Sequence, residues 1–281
     1  MPVGLVRMGK SWIAYIDVDG TLLDSQLNLS PGVRAAVDLV QERADIVIAS
    51  GRSTAACFRI ARELLEFPTY VIASNGAVVA ECATGGIAYS ASFPVGAAEH
   101  VLRLADSAEC ALWVYHATTW YVAAEHTGTV ALSRSKSVPE YVDSIGERLA
   151  GAVKLMIVGA PETVRLLHRA LRERQDLVSF VSYPDYLEVM PAGVSKATAA
   201  RVVESLVQPR TGVRTLAIGD GVADVPLFSA VDYSVAVANS SVEVRSAAGY
   251  LAPSNDEDGV SVALRALVMG EIAARSVLRR N

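Results

Sequence analysis

Cysteine and histidine are scarce in this chain, and their scarcity disfavours several kinds of site. The sequence holds three cysteines and four histidines among 281 residues. Cys57, Cys82 and Cys110 are scattered, odd in number and without the spacing of a metal motif, so we expect reduced thiols rather than zinc ligands or disulfides. The histidines do not cluster with a serine or cysteine, which disfavours a nucleophile triad: they are His100, His116, His126 and His168.

The chain also lacks long apolar runs and an excess of positive charge. No stretch of about twenty uninterrupted apolar residues occurs, and the first apolar run leads directly to Asp17 instead of forming a signal peptide. A formal net charge of -5, without a basic stripe, argues against nucleic acid as a partner. We therefore expect a cytoplasmic protein with neither membrane nor nucleic acid as partner, and the choice between monomer and dimer stays open.

Two carboxylates stand where an apolar run ends in a glycine: Asp17 and Asp19, followed by Gly20. The apolar residues before Asp17 predict a strand buried on both faces, as in a parallel sheet, and the carboxyl end of such a strand faces the ligand crevice. One carboxylate can then attack while the other handles a proton. An ordinary Asp-Gly turn is the alternative. An EF-hand loop is excluded because the required ligand spacing after Asp19 is missing.

Two later segments carry groups suited to a phosphate. Ile46–Ser53 is a β-branched run that ends in Ser50 and Gly51, which offer a hydroxyl and backbone N–H donors. Gly193–Ala200 predicts the start of a helix with Lys196 in its first turn, where the helix dipole and the ammonium both favour an anion. Taken singly, the first segment is a weak signal because many strand ends have this pattern, and a lone lysine is more often a solvated helix residue.

A further segment, Thr215–Asp224, is an apolar run that ends in a glycine and two carboxylates, Asp220 and Asp224. Alone, it also fits an Asp-Gly turn. Together and in this order, the four segments resemble the motifs of the haloacid dehalogenase (HAD) superfamily, specifically the Cof-type phosphatases of subfamily IIB, whose larger C2 cap follows the second motif. The resemblance covers most of the chain and includes further segments: Ser74–Ala77, Ala238–Arg245 and Ser254–Val260.

The resemblance implies a role for each motif residue. Asp17 would be the nucleophile that forms an aspartyl-phosphate, and Asp19 would be the general acid and then the general base. The phosphoryl oxygens would be held by Ser50, Gly51 and Lys196. The metal group would consist of Asp17, Asp220 and the backbone carbonyl of Asp19, with Asp224 as a ligand through water or a holder of the site.

These residue types suit phosphoryl transfer with magnesium as the cofactor. Mg²⁺ is a hard cation that prefers oxygen ligands, so a carboxylate site fits it better than zinc or copper. A bound cation also offsets the repulsion between a carboxylate nucleophile and a phosphate dianion. Superfamily members that dehalogenate organic acids lack the second aspartate, so Asp19 favours phosphate ester chemistry.

One position departs from the family pattern. The family usually has asparagine immediately before the last aspartate of its fourth motif, and this chain has Ala223. The alanine side chain cannot donate a hydrogen bond to a phosphate. Either Asn239 or a backbone amide takes over that contact, or phosphate binding is weaker than in relatives.

The predicted fold class is α/β, with a Rossmann-like core around a parallel sheet and an inserted α/β cap of the C2B type. At 281 residues the chain has room for both parts. A predicted helix at Pro31–Arg43, N-capped by Ser30, leaves no space for a cap between the first two motifs. We therefore predict the core at 1–80 and 189–281 and the cap at 81–188.

The insertion predicts short strands alternating with helices, which favours an antiparallel sheet in the cap. The strands are expected near Ala77–Ala80, Ile87–Ser90, Ala111–Tyr115, Trp120–Ala124, Val153–Val158, Val178–Val181 and Leu187–Val189. The helices are expected near Gly96–Ala105, Val138–Leu149 and Glu162–Arg174. The chain then returns to the core, with elements at Tyr233–Ala238, Val242–Ala247 and Val260–Met269.

Substrate choice is expected to depend on the cap, because the core supplies only phosphate and metal chemistry. Trp113 and Tyr115 share one strand face, and Tyr121 and Lys154 are candidates for adjacent strands, which together would form an aromatic and cationic wall. Packing against the cap helices is the favoured alternative. The substrate candidates are Arg52, Asn75, Tyr186 and Lys154, although Tyr186 follows Pro184-Asp185 and could simply fill a turn.

The pattern favours a magnesium-dependent phosphomonoesterase for a small phosphorylated metabolite, and a sugar phosphate is one candidate. A phosphomutase or phosphotransferase using the same aspartyl-phosphate is a second hypothesis. A sensor that binds a phosphorylated ligand without turnover is a third, and Ala223 motivates it. Retention of both Asp17 and Asp19 weighs against the sensor, because a binder needs no acid-base pair.

Overall fold

The computed structural model describes residues 10–66, 68–132, 137–207 and 212–280. The chain forms two compact units. The first contains the described residues up to Ile48, Ala61–Thr69 and those from Glu204 onward, and the second contains Ala49–Ile60 and Tyr70–Val203. The domain bounds at 80/81 and 188/189 stay a prediction.

Strands and helices alternate along much of the chain. The strands are β1 (Trp12–Ile16), β2 (Ala44–Ala49), β3 (Tyr70–Ala73), β4 (Val78–Glu81), β5 (Ile87–Ser90), β6 (Ala111–Tyr115), β7 (Trp120–Ala123), β8 (Glu140–Val142), β9 (Lys154–Val158), β10 (Leu177–Tyr183), β11 (Tyr186–Pro191), β12 (Arg214–Gly219), β13 (Tyr233–Val237), β14 (Tyr250–Ala252) and β15 (Arg279–Arg280). The α-helices are α1 (Pro31–Val40), α2 (Thr54–Leu64), α3 (Val95–Ser107), α4 (Pro161–Leu171), α5 (Lys196–Leu206), α6 (Val225–Phe228), α7 (Val242–Ala247), α8 (Gly259–Leu264) and α9 (Ile272–Val277). Short 3₁₀ segments occupy Ser74–Gly76, Ala124–Leu132, Ile145–Arg148, Val222–Asp224 and Asn255–Glu257, and wide π-type turns occupy Val18–Leu22 and Arg265–Met269.

The first unit contains a mainly parallel sheet. Its strands run in the order β15-β14-β13-β12-β1-β2, and β1 pairs in parallel with both β12 and β2. Every residue of β1 is buried, as expected for a strand with helices over both faces of a parallel sheet. Only β15 runs antiparallel to its neighbour in this group. The carboxyl ends of β1 and β12 therefore lie side by side, which places the first and last motifs together.

Helix α1 begins as its sequence predicts. The Ser30 side chain accepts a hydrogen bond from the Val33 amide at 3.0 Å, and Pro31 occupies the first helical turn. The helix ends at Val40, before the predicted Arg43, because the next residues turn into β2. No helix among the described ranges is both long and apolar enough to cross a membrane.

The second unit contains a predominantly antiparallel sheet in the order β10-β11-β9-β6-β7-β8, and an antiparallel β3-β4-β5 group. Helices α3 and α4 cover one face of the larger sheet, where apolar side chains such as Leu112, Val114, Leu155 and Ile157 form a buried core. Alternation sends Trp113, Tyr115 and Lys154 to the other face. The predicted fold class, a parallel core sheet with an inserted α/β cap, is confirmed.

One predicted helix is wrong. The segment Val138–Leu149 forms strand β8 and a short 3₁₀ turn at Ile145–Arg148. Tyr141 and Val142 pair with β7, and the backbone bonds of that pairing replace those of a helix. Asp143, Ser144 and Gly146 also weaken the helix, since all are poor residues for its interior.

The predicted adjacency of Tyr121 and Lys154 is also wrong. Tyr121 lies on β7 and Lys154 on β9, and β6 separates these strands. The Tyr121 ring packs against the core on the helix-covered face, whereas Lys154 contacts the Tyr115 ring on the opposite face. Tyr186 does not fill a turn: it opens β11, is 4% exposed and lies 5.6 Å from the Trp113 ring.

Candidate active site

The turn after β1 carries Asp17 and Asp19. The amide of Asp17 still donates to the carbonyl of Ile218 at 3.0 Å, so Asp17 extends the pairing of β1 with β12. The chain then makes a wide turn, in which the amide of Leu22 donates to the Asp17 carbonyl at 3.2 Å. Gly20 adopts a φ of 78° within this turn, in the left-handed region that favours glycine. Asp17 itself is only 8% exposed.

Asp220 is held against this turn. The hydroxyl of Thr21 donates to Asp220 Oδ1 at 2.7 Å, and Thr21 is 1% exposed. A Cβ on Gly20 would lie 2.4 Å from Asp220 Oδ2, so only glycine admits the carboxylate this close. The Thr21 hydroxyl therefore fixes the Asp220 side chain in one orientation. Thr21 lies in the first sequence motif, but nothing in the sequence predicted that its hydroxyl would orient Asp220.

Asp224 supports the loop that follows β12. Its Oδ2 accepts hydrogen bonds from the amides of Asp220 at 3.2 Å and Gly221 at 3.0 Å. A Cβ on Gly219 would lie 2.4 Å from the Asp224 carboxylate, so this glycine allows the close approach. Asp224 is 2% exposed. The carboxylate thus braces the backbone beside Asp220, and the choice between a ligand through water and a holder of the site stays open.

Three carboxylates converge in the first unit. Asp17, Asp220 and Asp224 each offer an oxygen, and the three oxygens lie within 4.8 Å of one another. Like charges this close repel, and a bound cation removes that repulsion. A donor set made only of oxygens fits a hard cation such as Mg²⁺. Among the described residues, the carboxylate of Asp19 is outside this group, and ligation by its backbone carbonyl stays a prediction.

Asn239 contacts the turn after β1. Its Nδ2 donates to the Gly20 carbonyl at 2.8 Å, and its Oδ1 accepts from the Asn255 amide at 3.1 Å. Asn255 in turn donates from Nδ2 to the Leu23 carbonyl at 2.9 Å. The two asparagines therefore hold both sides of the turn that carries Asp19. A phosphate contact by Asn239 stays a prediction, and Asn255, which the resemblance included without a role, is a supporting residue.

Ser50 and Gly51 lie in the second unit with Asn75. The Asn75 amide donates to the Ser50 carbonyl at 3.0 Å, and the Arg52 amide donates to Ser50 Oγ at 3.2 Å. A Cβ on Gly51 would lie 2.9 Å from Asn75 Oδ1. Asn75 adopts a φ of 56°, a conformation that asparagine tolerates better than most residues. Ser50 is 1% exposed. A hydroxyl that accepts one hydrogen bond can still donate its own hydrogen.

Lys196 opens helix α5, as predicted. Ser195 caps the helix, since its Oγ accepts from the Thr198 amide at 3.1 Å. Gly76, with a φ of 100°, allows the start of the helix to approach, because a Cβ there would lie 2.1 Å from the Ser195 carbonyl oxygen. Lys196 is 1% exposed despite its charge. A buried lysine in the first turn of a helix is suited to an anion.

The substrate candidates of the second unit are already in contact with protein groups. Lys154 donates to the Gly51 carbonyl at 2.6 Å and to Glu188 at 3.0 Å. Asn75 donates to the same Glu188 oxygen at 2.7 Å. Arg52 is 7% exposed, and its carbonyl accepts from the Ser74 amide.

The aromatic side chains on this face pack on one another. The Trp120 ring lies 5.2 Å from both Tyr115, on which it stacks, and Trp113. Burial raises the pKa of the Tyr115 phenol well above its ordinary value, and the nearby Glu188 charge adds to this. Packing among the aromatic rings therefore accounts for the burial of Trp113 and Tyr115. A part of these two residues in substrate specificity stays a prediction.

The predicted residues are divided between the two units. The residues in the first unit are four aspartates and one asparagine, and those in the second unit offer a hydroxyl, backbone amides and cationic side chains. The first unit contains Asp17, Asp19, Asp220, Asp224 and Asn239, and the second contains Ser50, Gly51, Arg52, Asn75, Lys154, Tyr186 and Lys196.

A comparison with known sequences identifies the family. The profile of the haloacid dehalogenase-like hydrolases matches residues 14–264. The chain belongs to this family. The matched range includes all four motifs, so the resemblance to the Cof-type members of the HAD superfamily is confirmed, and the chain is a HAD-like hydrolase.

Individual relatives span almost the whole chain. YxeH of Bacillus subtilis is 27% identical over 267 residues, covering 91% of this chain and 98% of the relative. The 5-amino-6-(5-phospho-D-ribitylamino)uracil phosphatase YcsE of Bacillus subtilis is 26% identical over 258 residues, covering 90% and 94%. The solved structure of the HAD subclass IIB sugar phosphatase BT4131 superimposes with a TM-score of 0.77 at 18% identity, covering 90% and 98%.

Proposed function

We propose that this HAD-like hydrolase is a magnesium-dependent phosphatase that hydrolyses a small phosphorylated metabolite through an aspartyl-phosphate on Asp17. The observation that carries the proposal is the convergence of Asp17, Asp220 and Asp224 within 4.8 Å, beside the turn that bears Asp19. Phosphoryl transfer needs a nucleophile in line, charge neutralisation and protonation of the leaving oxygen. The first unit supplies candidates for all three.

Each carboxylate of the first unit has a distinct part in this proposal. Asp17 attacks the phosphorus, and Asp19 donates a proton to the leaving oxygen and then takes one from the water that hydrolyses the intermediate. Asp220, oriented by Thr21, and Asp17 would hold Mg²⁺, with Asp224 bracing the loop. The cation supplies charge neutralisation for the phosphoryl group.

We propose that Ser50, Gly51 and Lys196 bind the phosphoryl oxygens. The order of the four motifs supports this assignment, together with the chemistry of the donors. The Ser50 hydroxyl has a hydrogen to give, and Lys196 is a buried cation at the start of a helix. A cation and neutral donors reduce the charge that the attacking carboxylate must approach.

The substrate that we propose is a phosphate ester of a sugar or a sugar-derived chain. Two relatives carry names that support this class: a sugar phosphatase and a phosphatase for a phosphoribityl compound. The carboxylates and donors described above would recognise only the phosphate. The rest of the substrate must therefore be recognised by other residues, for which Arg52 and Tyr186 stay candidates.

The test is phosphate release from a panel of sugar phosphates, nucleotides and phosphorylated cofactors, with Mg²⁺ and with chelator. We expect Mg²⁺-dependent release by the wild type and a loss of at least about a thousandfold in Asp17→Asn, because no nucleophile remains. Asp38→Asn, which changes an exposed aspartate of α1, is the matched control and should retain full activity.

Product analysis separates hydrolysis from transfer. Release of inorganic phosphate supports the phosphatase, whereas movement of the phosphoryl group to a second hydroxyl would establish a mutase or transferase. Binding of phosphate esters without turnover, unchanged in Asp17→Asn, would instead support a sensor and overturn the proposal.

A further inference from the structure

We propose that the buried pair Lys154–Glu188, together with Asn75, orients the Ser50–Gly51 donors for the phosphoryl group. This inference rests on the proposed function, because it assigns a positioning role within the proposed phosphate site. Lys154 lies on β9 and Glu188 on β11, which are adjacent strands of the sheet in the second unit. Neither residue belongs to the four sequence motifs.

The Lys154 ammonium is engaged by three protein groups: it donates to two oxygens and lies over one aromatic ring. Nζ lies 2.6 Å from the Gly51 carbonyl oxygen and 3.0 Å from Glu188 Oε2. It also lies 4.2 Å from the centre of the Tyr115 ring, which accepts a cation through its face. Both of its hydrogen-bonding oxygens thus belong to the protein. Its position suits support of the loop better than contact with substrate.

The pair is buried and balanced in charge. The side chains of Lys154 and Glu188 are 2% and 9% exposed. Removing one partner alone would leave a buried charge without its counterion, which is strongly destabilising. Glu188 Oε2 also accepts from Asn75 Nδ2 at 2.7 Å, so the same carboxylate holds Lys154 and Asn75.

Through these contacts the network holds two consecutive peptide groups. The Asn75 amide donates to the Ser50 carbonyl at 3.0 Å, and Lys154 donates to the Gly51 carbonyl at 2.6 Å. A trans peptide group is planar, with its N–H directed opposite to its C=O. Fixing the Ser50 carbonyl therefore fixes the direction of the Gly51 N–H.

The second peptide group orients the Ser50 hydroxyl. When Lys154 holds the Gly51 carbonyl, the Arg52 amide in the same plane is also fixed. That amide donates to Ser50 Oγ at 3.2 Å. The hydroxyl oxygen is thus an acceptor for Arg52 and directs its own hydrogen elsewhere. Two neutral donors, the Gly51 N–H and the Ser50 O–H, are in this way preorganised for phosphoryl oxygens.

The test uses Lys154→Met combined with Glu188→Gln, which removes both charges at once. Because both charges are removed, the double variant leaves no uncompensated charge buried. The amide introduced at position 188 still offers an oxygen to Asn75. We expect kcat to fall at least about tenfold with a smaller change in KM, since donor orientation matters most in the transition state. The affinity for orthovanadate, which mimics the five-coordinate phosphoryl group, should fall in parallel in calorimetric titrations.

The matched control removes another largely buried ion pair, Lys10–Asp45, whose side chains are 10% and 3% exposed. Lys10→Met combined with Asp45→Asn should lower Tm but preserve kcat and orthovanadate affinity well below Tm. A Lys154/Glu188 variant that behaves like this control would overturn the positioning role.

If the wild type binds orthovanadate yet releases no phosphate, the proposed function fails, and loss of binding in the variant still supports the inference. No binding and no release by the wild type overturn both.

Discussion

At the scale of single residues, the acidic group depends on neighbours that carry no charge. Thr21 orients Asp220 through a hydroxyl, and Asn239 holds the Gly20 carbonyl. Residues that hydrogen-bond to metal ligands fix the ligand orientation, and their loss commonly lowers metal affinity. In the proposed magnesium site, the orientation of Asp220 therefore depends on Thr21.

We predict that Thr21→Val lowers the affinity for Mg²⁺ about tenfold or more, because Asp220 loses the donor at 2.7 Å while the side-chain volume is kept. The measurement is the Mg²⁺ concentration that gives half-maximal phosphate release. Thr215→Val is the control, since Thr215 Oγ1 also bonds an aspartate, Asp232, at 3.0 Å. Equal Mg²⁺ requirements in the two variants would contradict this role of Thr21.

At the scale of elements, the turn Val18–Leu22 follows a buried strand and itself carries Asp19. The turn requires a positive φ at Gly20 and room for the Asp220 carboxylate beside it. Both requirements exclude a Cβ at this position. The turn geometry therefore links the first motif to the fourth.

We predict that Gly20→Ala lowers the free energy of unfolding by more than Gly193→Ala. Both glycines have a φ of 78°, so each alanine incurs about 1 to 2 kcal/mol of backbone strain. A Cβ at Gly193 meets nothing within 4 Å, whereas one at Gly20 meets Asp220 Oδ2 at 2.4 Å. Urea denaturation of both variants measures the difference. Equal losses would show that the carboxylate moves aside without cost.

At the scale of the whole molecule, buried polar groups make stability depend on pH. Tyr15, in the middle of β1, donates to Glu204 at 3.2 Å. Burial, with the Glu204 charge as a second cause, raises the pKa of the Tyr15 phenol far above its usual value of 10.0. The folded chain thus keeps a proton that the unfolded chain releases in alkali. The contribution to stability is present below pH 10.0 and is lost progressively as the pH rises above it.

We predict that Tyr15→Phe reduces the alkaline loss of stability. Above about pH 10, the free energy of unfolding should fall less steeply in the variant, by up to about 1.4 kcal/mol per pH unit, because one ionisation is removed. Urea denaturation between pH 8 and pH 11 measures both slopes, and the values at pH 8 serve as the reference. Parallel curves for wild type and variant would contradict the assignment.

Local signals predicted much of the fold correctly. The Ser30-Pro31 pair marked the start of α1, and the apolar runs before Asp17 and Asp220 marked β1 and β12. These elements have strong local patterns that agree with their tertiary environment. The helix predicted at Val138–Leu149 was wrong because Tyr141 and Val142 pair with β7. That strand is distant in the sequence, so the local residue pattern could not reveal the pairing.

The four motifs and, through them, the family could be predicted from the amino-acid sequence, because both depend on residue type and spacing along the chain. The folded chain was needed to show that Asn239 donates to the Gly20 carbonyl and that Lys154 donates to the Gly51 carbonyl. Each of these contacts joins residues more than a hundred positions apart. Their geometry depends on the order of the strands and on close approach of the backbone. Neither can be predicted from the spacing of side chains along the chain.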